Sequence, residues 1–344
     1  MGTHLKPDFA KRGKALKKMM AEKDLDAVMT SSQNEILYYT GYIGLKDDRL
    51  FMIFPLDGRP KLAVSPLSNE AKKFYPEIVY MEKFADVLAC LKPYKAVGYD
   101  ERAVSIMVYQ ELNKLKIRLQ PATDALEALR IAKDAYEIEQ IRKAAAITGK
   151  VLASVSERLV GRSEKEIADA LEIGYRKMGT ESAYDSIVCA GSNTQFVHHA
   201  PAAKIVGGKD AVMIDTAAKV NGYCCDVTRI FFRRMDAKRR KLYEDVKHIK
   251  DEITGIIKAG AACKDIEDFY RSLLRKKGYP VVHSFGHGVG LSVHEPTGDV
   301  LKENAVITIE PGVYIKNFAG FRVEDTVVVK KGKADVLSGM IPIT

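Results

Sequence analysis

Short apolar runs alternate with segments of three-to-four-residue periodicity over the first 125 residues. The runs at 26–30, 50–55, 61–65 and 95–99 have strand length and are bounded by polar or turn-forming residues. Leu16, Met19 and Met20 share one helical face behind Asp8, a candidate N-cap. This alternation predicts a small α/β domain. From Ala132 the texture changes. Ile138, Ile141, Ala145, Thr148, Leu152, Val155 and Leu159 step by three and four, predicting a long amphipathic helix closed by Gly161. Ser163-Glu164-Lys165-Glu166 then forms a capping box, and Ile167 and Leu171 begin the next apolar face. Beyond Gly179 the chain is strand-rich, interrupted by helical patterns over 238–259 and 264–277. A boundary within 122–133 is expected, giving domains 1–125 and 126–344 and an α+β chain overall.

Composition fits that picture. The 344 residues are 47% hydrophobic and 29% charged, enough chain for two packed cores and too apolar for disorder. No apolar run reaches the roughly 18–20 residues that span a bilayer, and the start lacks the apolar core of a signal peptide. Five cysteines, an odd number including an adjacent pair, suit reduced thiols and a cytoplasmic location. The net charge of +9 raises nucleic-acid binding. The basic residues, however, fall in short bursts (11–18, 233–241, 271–277, 330–333) without aromatic interleaving or a recognised module. Lys238 to Lys241 lie largely opposite the apolar stripe Leu242, Val246, Ile249, Ile253 and Ile256, so a solvated helix face is expected and a nucleic-acid partner is not.

Chemistry concentrates in the second half. Six of seven histidines lie between His198 and His294, interleaved with acids in apolar strands. Asn221-Gly222 between two apolar runs predicts a two-residue hairpin turn. Facing positions then sum to 443, placing Asp215 and Asp226 on one face along a diagonal of roughly 7–8 Å. Two carboxylates so placed either converge on a cation, pair with Arg229 or stay solvated. His287 sits between glycines in Gly286-His287-Gly288-Val289-Gly290, which lets another group approach closely. The spacing is not that of a phosphate loop. Glu310 closes an apolar strand before Pro311-Gly312, and Glu324 interrupts another with Arg322 two residues earlier on the same face. Pairing of Glu324 with Arg322 is the bland alternative. Together Asp215, Asp226, His287, Glu310 and Glu324 supply four carboxylates and one imidazole, more acid than one ion needs. Two divalent ions bridged by Asp226 and Glu324 fit better. Oxygen-rich ligation with one nitrogen favours Mn, Co, Fe or Zn.

At these residues the chain resembles the pita-bread metallopeptidases: prolidase (Xaa-Pro dipeptidase), aminopeptidase P and, more distantly, methionine aminopeptidase and creatinase. The strings Gly-His-Gly-Val-Gly, His-Glu-Pro (294–296), Ile-Glu-Pro-Gly (309–312) and Arg-Val-Glu-Asp (322–325) carry the resemblance. Phe196 to Pro201 is similar to the family's substrate-histidine segment. Leu37 to Tyr42 and the linker from Leu129 to Ile138 extend the likeness to the N-terminal region. Val197 stands where the family usually has proline and Ala217 where it usually has glycine, and the stretch 295–305 is shorter than prolidases usually carry. The resemblance implies a C-terminal pita-bread catalytic domain behind a smaller creatinase-like domain. It implies two divalent ions per subunit (Mn or Co foremost, Zn or Fe as alternatives) held by the five residues above, and a homodimer. The expected activity is hydrolysis before proline in Xaa-Pro dipeptides. Cleavage of longer Xaa-Pro peptides is the runner-up, and a noncatalytic binding module the alternative of another class. In that mechanism Glu310 serves as general base, His198 and His294 donate to the oxyanion and the substrate, and Arg322 supports Glu324 or Asp226.

Overall fold

A computed structural model describes residues 5–45 and 47–342 and divides the chain into two compact units, Met1–Arg130 and Ile131–Thr344. The first unit is a six-stranded mixed sheet. Its strands are β1 (Ala27–Thr30), β2 (Phe51–Pro55), β3 (Lys61–Val64), β4 (Ile78–Tyr80), β5 (Ala96–Tyr99) and β6 (Arg118–Pro121), in the order β4-β3-β2-β1-β5-β6. The two outermost strands, β4 and β6, were not foreseen; they are short and only partly buried, so they lack a continuous apolar run. Helices α1 (Phe9–Glu22), α2 (Gln33–Thr40), α3 (Phe84–Leu91), α4 (Ile106–Asn113) and α5 (Thr123–Leu129) complete the unit. Asp8 caps α1 by accepting from the Lys11 N–H at 2.9 Å. Every residue of central β1 is buried, as expected for a strand covered on both faces.

The second unit opens with α6 (Ala135–Ser156), four residues or more short of the expected end at Gly161; Leu159 is buried from the following turn instead. Asp134 and Ser163 close capping boxes with Glu137 and Glu166, starting α6 and α7 (Glu164–Lys177). The strands are β7 (Glu181–Ser182), β8 (Ile187–Ala190), β9 (Val212–Asp215), β10 (Ala218–Val220), β11 (Tyr223–Cys224), β12 (Thr228–Phe231), β13 (Val306–Ile309), β14 (Gly312–Ile315), β15 (Ala319–Arg322), β16 (Asp325–Val328) and β17 (Asp335–Val336). They form short antiparallel sheets ordered β11-β10-β7, β12-β9-β8, β13-β16-β17 and β14-β15. Helices α8 (Ala237–Ile256) and α9 (Cys263–Lys276) pack together, and their apolar stripes join the strands in one core around Met213, Ile230, Tyr243, Ile249, Tyr270, Ile307 and Phe321.

The basic burst opening α8 is largely solvated and locally paired. Arg239 meets Asp236 at 2.6 Å, Lys241 meets Asp245 at 2.9 Å, and Lys238 and Arg239 lie over the Phe318 ring. All five cysteines are free thiols. Among the described residues no helix is long and apolar enough to cross a membrane.

Candidate metal centre

The Asn-Gly hairpin has the expected register. Val220 faces Tyr223, Thr216 N–H donates to the Val227 carbonyl, and Asp215 faces Thr228, so the pairing sum of 443 runs through without a bulge. Asp215 and Asp226 therefore share a face, and both carboxylates accept a hydrogen bond from one hydroxyl, that of Tyr184. Tyr184 was not anticipated. It lies just before β8, and only its place in an otherwise polar turn could have hinted at a special position.

The link between β15 and β16 that bears Glu324 lies beside the hairpin: the Glu324 N–H donates to the Thr228 carbonyl at 3.2 Å, and the Thr228 hydroxyl donates to Glu324 Oε2 at 2.7 Å. His287 enters from the glycine-rich segment. A Cβ on Gly286 would lie 2.1 Å from the Thr308 carbonyl oxygen, and one on Gly288 would lie 2.6 Å from that of Glu295. The glycines thus admit the neighbouring backbone of β13 and of 295–296, rather than a group approaching the imidazole. Glu310, at the end of β13, brings Oε1 within 3.4 Å of His287 Nε2, and Asp226 Oδ2 lies 3.6 Å from the same nitrogen. Ligand atoms of Asp226, His287 and Glu324 all lie within 4.8 Å of one another. Asp215 and Glu310 stand next to this set, the first joined to Asp226 through Tyr184.

Arg322 differs from expectation. Its guanidinium donates to Asp215 Oδ2 at 2.5 Å, to the Tyr314 hydroxyl at 2.5 Å and to the Thr228 hydroxyl at 2.9 Å; it touches neither Asp226 nor Glu324 and reaches Glu324 only through Thr228. Two residues apart on one face is close enough for Arg322 and Glu324 to pair. Instead β15 ends at Arg322 and β16 starts at Asp325, so the chain turns between them. Arg229 is no partner of the paired aspartates either; it pairs with Asp325 at 2.7 Å on the far side. The remaining histidines surround the centre. His294 packs its ring 4.2 Å from that of His287, and His283 has Nδ1 4.0 Å from Glu310 Oε2. His198 and His294 are exposed, with His198 near enough to His283 to affect its charge.

The residues suit a cation. In the metal-free protein burial pushes Asp226 and Glu324 well above the usual carboxylate range, and the neighbouring carboxylates push further. Burial raises Glu310 to about 7 against the opposing pull of Arg322. His287 is lowered to about 4, chiefly by burial, so it is neutral at pH 7. Its Nδ1–H donates to the Gly288 carbonyl at 3.0 Å, which leaves the Nε2 lone pair facing the carboxylates. Buried acids that repel one another beside a neutral, oriented imidazole are an unfavourable assembly without a divalent ion and a favourable one with it. Cys224 and Cys225 take no part: both are buried, their thiols pushed up to about 12, and Cys225 lies 3.3 Å from the Thr148 hydroxyl.

A buried carboxylate–imidazole centre on short antiparallel sheets, preceded by a mixed-sheet unit, defines a two-domain pita-bread metallohydrolase. Comparison with known proteins agrees over both units. Residues 139–331 match the metallopeptidase family M24, and residues 12–132 match the creatinase/prolidase N-terminal domain. The Xaa-Pro dipeptidase of Pyrococcus furiosus is 31% identical over 94% of this chain and 96% of that protein. The solved Xaa-Pro dipeptidase from Bacillus anthracis superposes with a TM-score of 0.92 at 25% identity, over 98% of this chain and 99% of that one. The X-Pro aminopeptidase from Thermotoga maritima gives 0.85 at 28% identity, over 95% and 97%. The chain belongs to metallopeptidase family M24 and is a metal-dependent hydrolase.

Proposed function

We propose that this enzyme is an Xaa-Pro dipeptidase that uses two divalent ions, manganese or cobalt, held by Asp215, Asp226, His287, Glu310 and Glu324. The convergence of Asp226, His287 and Glu324 within 4.8 Å carries the metal reading. The substrate class is supported by the Pyrococcus furiosus and Bacillus anthracis proteins, both named Xaa-Pro dipeptidases. When bound, such ions supply Lewis-acid polarisation of the peptide carbonyl and lower the pKa of water.

The chain's own residues do the rest. Glu310, whose carboxylate lies 3.4 Å from His287 Nε2, accepts a proton from the attacking water at a carboxylate oxygen and returns it to the leaving prolyl nitrogen. His198 and His294 stand on the exposed side, where their N–H groups donate to the developing oxyanion and to the bound substrate. Arg322 fixes Asp215, and Thr228 links Arg322 to Glu324, so two ligands 109 positions apart in the chain share one support. A tertiary prolyl amide has no N–H to donate, so recognition must come from shape and from these donors.

Activity on Gly-Pro-type dipeptides and on Xaa-Pro tripeptides, with Mn²⁺ or Co²⁺ added, tests the reading. Dipeptides should be cleaved and tripeptides spared, with Glu310→Ala abolishing turnover. Cleavage of tripeptides alone would transfer the chain to the aminopeptidases, and no cleavage of either would end the peptidase reading. We also infer a cytoplasmic homodimer. The five free thiols support the compartment, and exposed Ile43, Leu45, Leu67 and Phe74 of the first unit support an interface there.

A further inference from the structure

Glu164 is the first residue of α7, where an acid normally sits in solvent and favours the helix N-terminus. Here its side chain is completely buried. Oε1 accepts from the Ala190 N–H at 2.6 Å and the Asn193 amide at 2.9 Å; Oε2 accepts from His199 Nε2 at 2.7 Å and the Ala202 N–H at 3.0 Å. Four donors fill the acceptor capacity of one carboxylate. Burial alone would raise its pKa, but these hydrogen bonds, His199 foremost, hold it below the usual carboxylate range. The ionised group only accepts, so His199 Nε2 carries its proton.

The backbone reinforces the same anchorage. Glu164 N–H donates to the Lys204 carbonyl at 3.0 Å, Lys165 N–H to that of Ala202 at 3.2 Å, and Ser163 bridges Ile205. Residues 190–204 are thus tied at both ends to the start of α7, and the stretch between forms an anchored arch. His198 lies on the arch, exposed, one residue from the half-buried anchor His199. The arch touches the centre through the Val197 carbonyl, which Arg322 approaches at 3.5 Å. The His199 ring also stacks on Phe196, at 6.0 Å and 16°.

We propose that Glu164, acting through His199, is a positioning residue that fixes the arch so that His198 faces the substrate. His199 turns to the buried carboxylate, while its neighbour His198 stays exposed. The inference rests on the reading of His198 as a substrate-contacting donor. A catalytic donor displaced by about 1 Å costs on the order of 10²-fold in rate.

A double-mutant cycle tests it. His199→Leu should lower kcat/KM on an Xaa-Pro dipeptide by about 10–100-fold, mainly in kcat. Metal content should stay at the wild-type value, and amide hydrogen exchange should quicken within 194–201 only. His199→Gln, whose amide can still donate to Glu164, should recover most of the loss, and Glu164→Gln should resemble His199→Leu if the latter folds poorly. In a His198→Ala background, His199→Leu should cost little more. A full additional loss there, or unchanged exchange over 194–201, would overturn the positioning role. If His198→Ala itself leaves kcat/KM intact, the assignment of His198 falls instead.

Discussion

Glu324 and Asp325 are neighbours in the chain, both almost fully buried, and electrostatic opposites. Asp325 sits between Arg229 at 2.7 Å and Lys250 at 2.5 Å and accepts from the Ser338 hydroxyl, so despite burial its carboxyl is held down to about 2. Glu324 faces Asp226, Glu310 and Asp215, and burial with these neighbours drives it well above the usual range. The partner strand alternates likewise, Thr228 turning toward Glu324 and Arg229 toward Asp325. One face of this strand pair is therefore a neutralised ion cluster inside the protein, and the other is an acidic cluster that needs a charge from outside. Burial of an acid does not mark a functional site; burial of an acid among acids does.

The comparison can be broken most severely at Glu324. Glu324→Gln should lower kcat by about 10³-fold and reduce metal per chain by mass spectrometry. Yet it should raise the melting temperature of chelator-treated protein, because a repelling buried acid has gone. A loss of apo stability would show that Glu324 is not strained without metal. Lys250→Met should do the reverse. Leaving Asp325 with Arg229 but without its second cation should cost about 1.5–3 kcal/mol in denaturant unfolding, while the folded fraction keeps its metal stoichiometry. Loss of metal without loss of stability would mean that the two faces are not separate.

The smallest effect is in the pH dependence of stability without metal. Asp325, and Asp245 beside Lys277, Tyr279 and Lys241, both lie at about 2, below an unfolded value of about 3.9. Their contribution is complete above the unfolded value and is lost as pH falls toward 2. Glu310 is displaced upward, from 4.5 to about 7, so its own contribution to stability declines as pH rises across that interval, while His287 and His283, both lowered to about 4, contribute in the opposite sense. Urea unfolding from pH 3 to 8 with chelator should show the acid limb, and Glu310→Gln should gain stability relative to wild type as pH rises from about 4.5 to 7. A wild-type minus Glu310→Gln difference that stays constant from about pH 4.5 to 7 would contradict the upward shift of Glu310.

Much of this was legible along the chain because it depends on near neighbours. Asn221-Gly222 set the hairpin register that aligns Asp215 with Asp226, Ser163 and Glu166 set the start of α7, and periodicity placed α6, α8 and α9 to within a few residues. The residue types of the centre, four acids and an imidazole in apolar context, were visible in the same way. What tertiary structure alone decided is who meets whom. Arg322 holds Asp215, 107 positions away, rather than the nearby Glu324; Arg229 serves Asp325, 96 positions away; Tyr184 bridges two aspartates; and Glu164 reaches past its own capping box to His199, 35 positions on. Turn chemistry and side-chain periodicity act over a few residues and are encoded there. The pairing of buried charges is settled by the packing of distant strands, because in a low-dielectric interior each charge must find whichever partner the fold brings within about 3 Å.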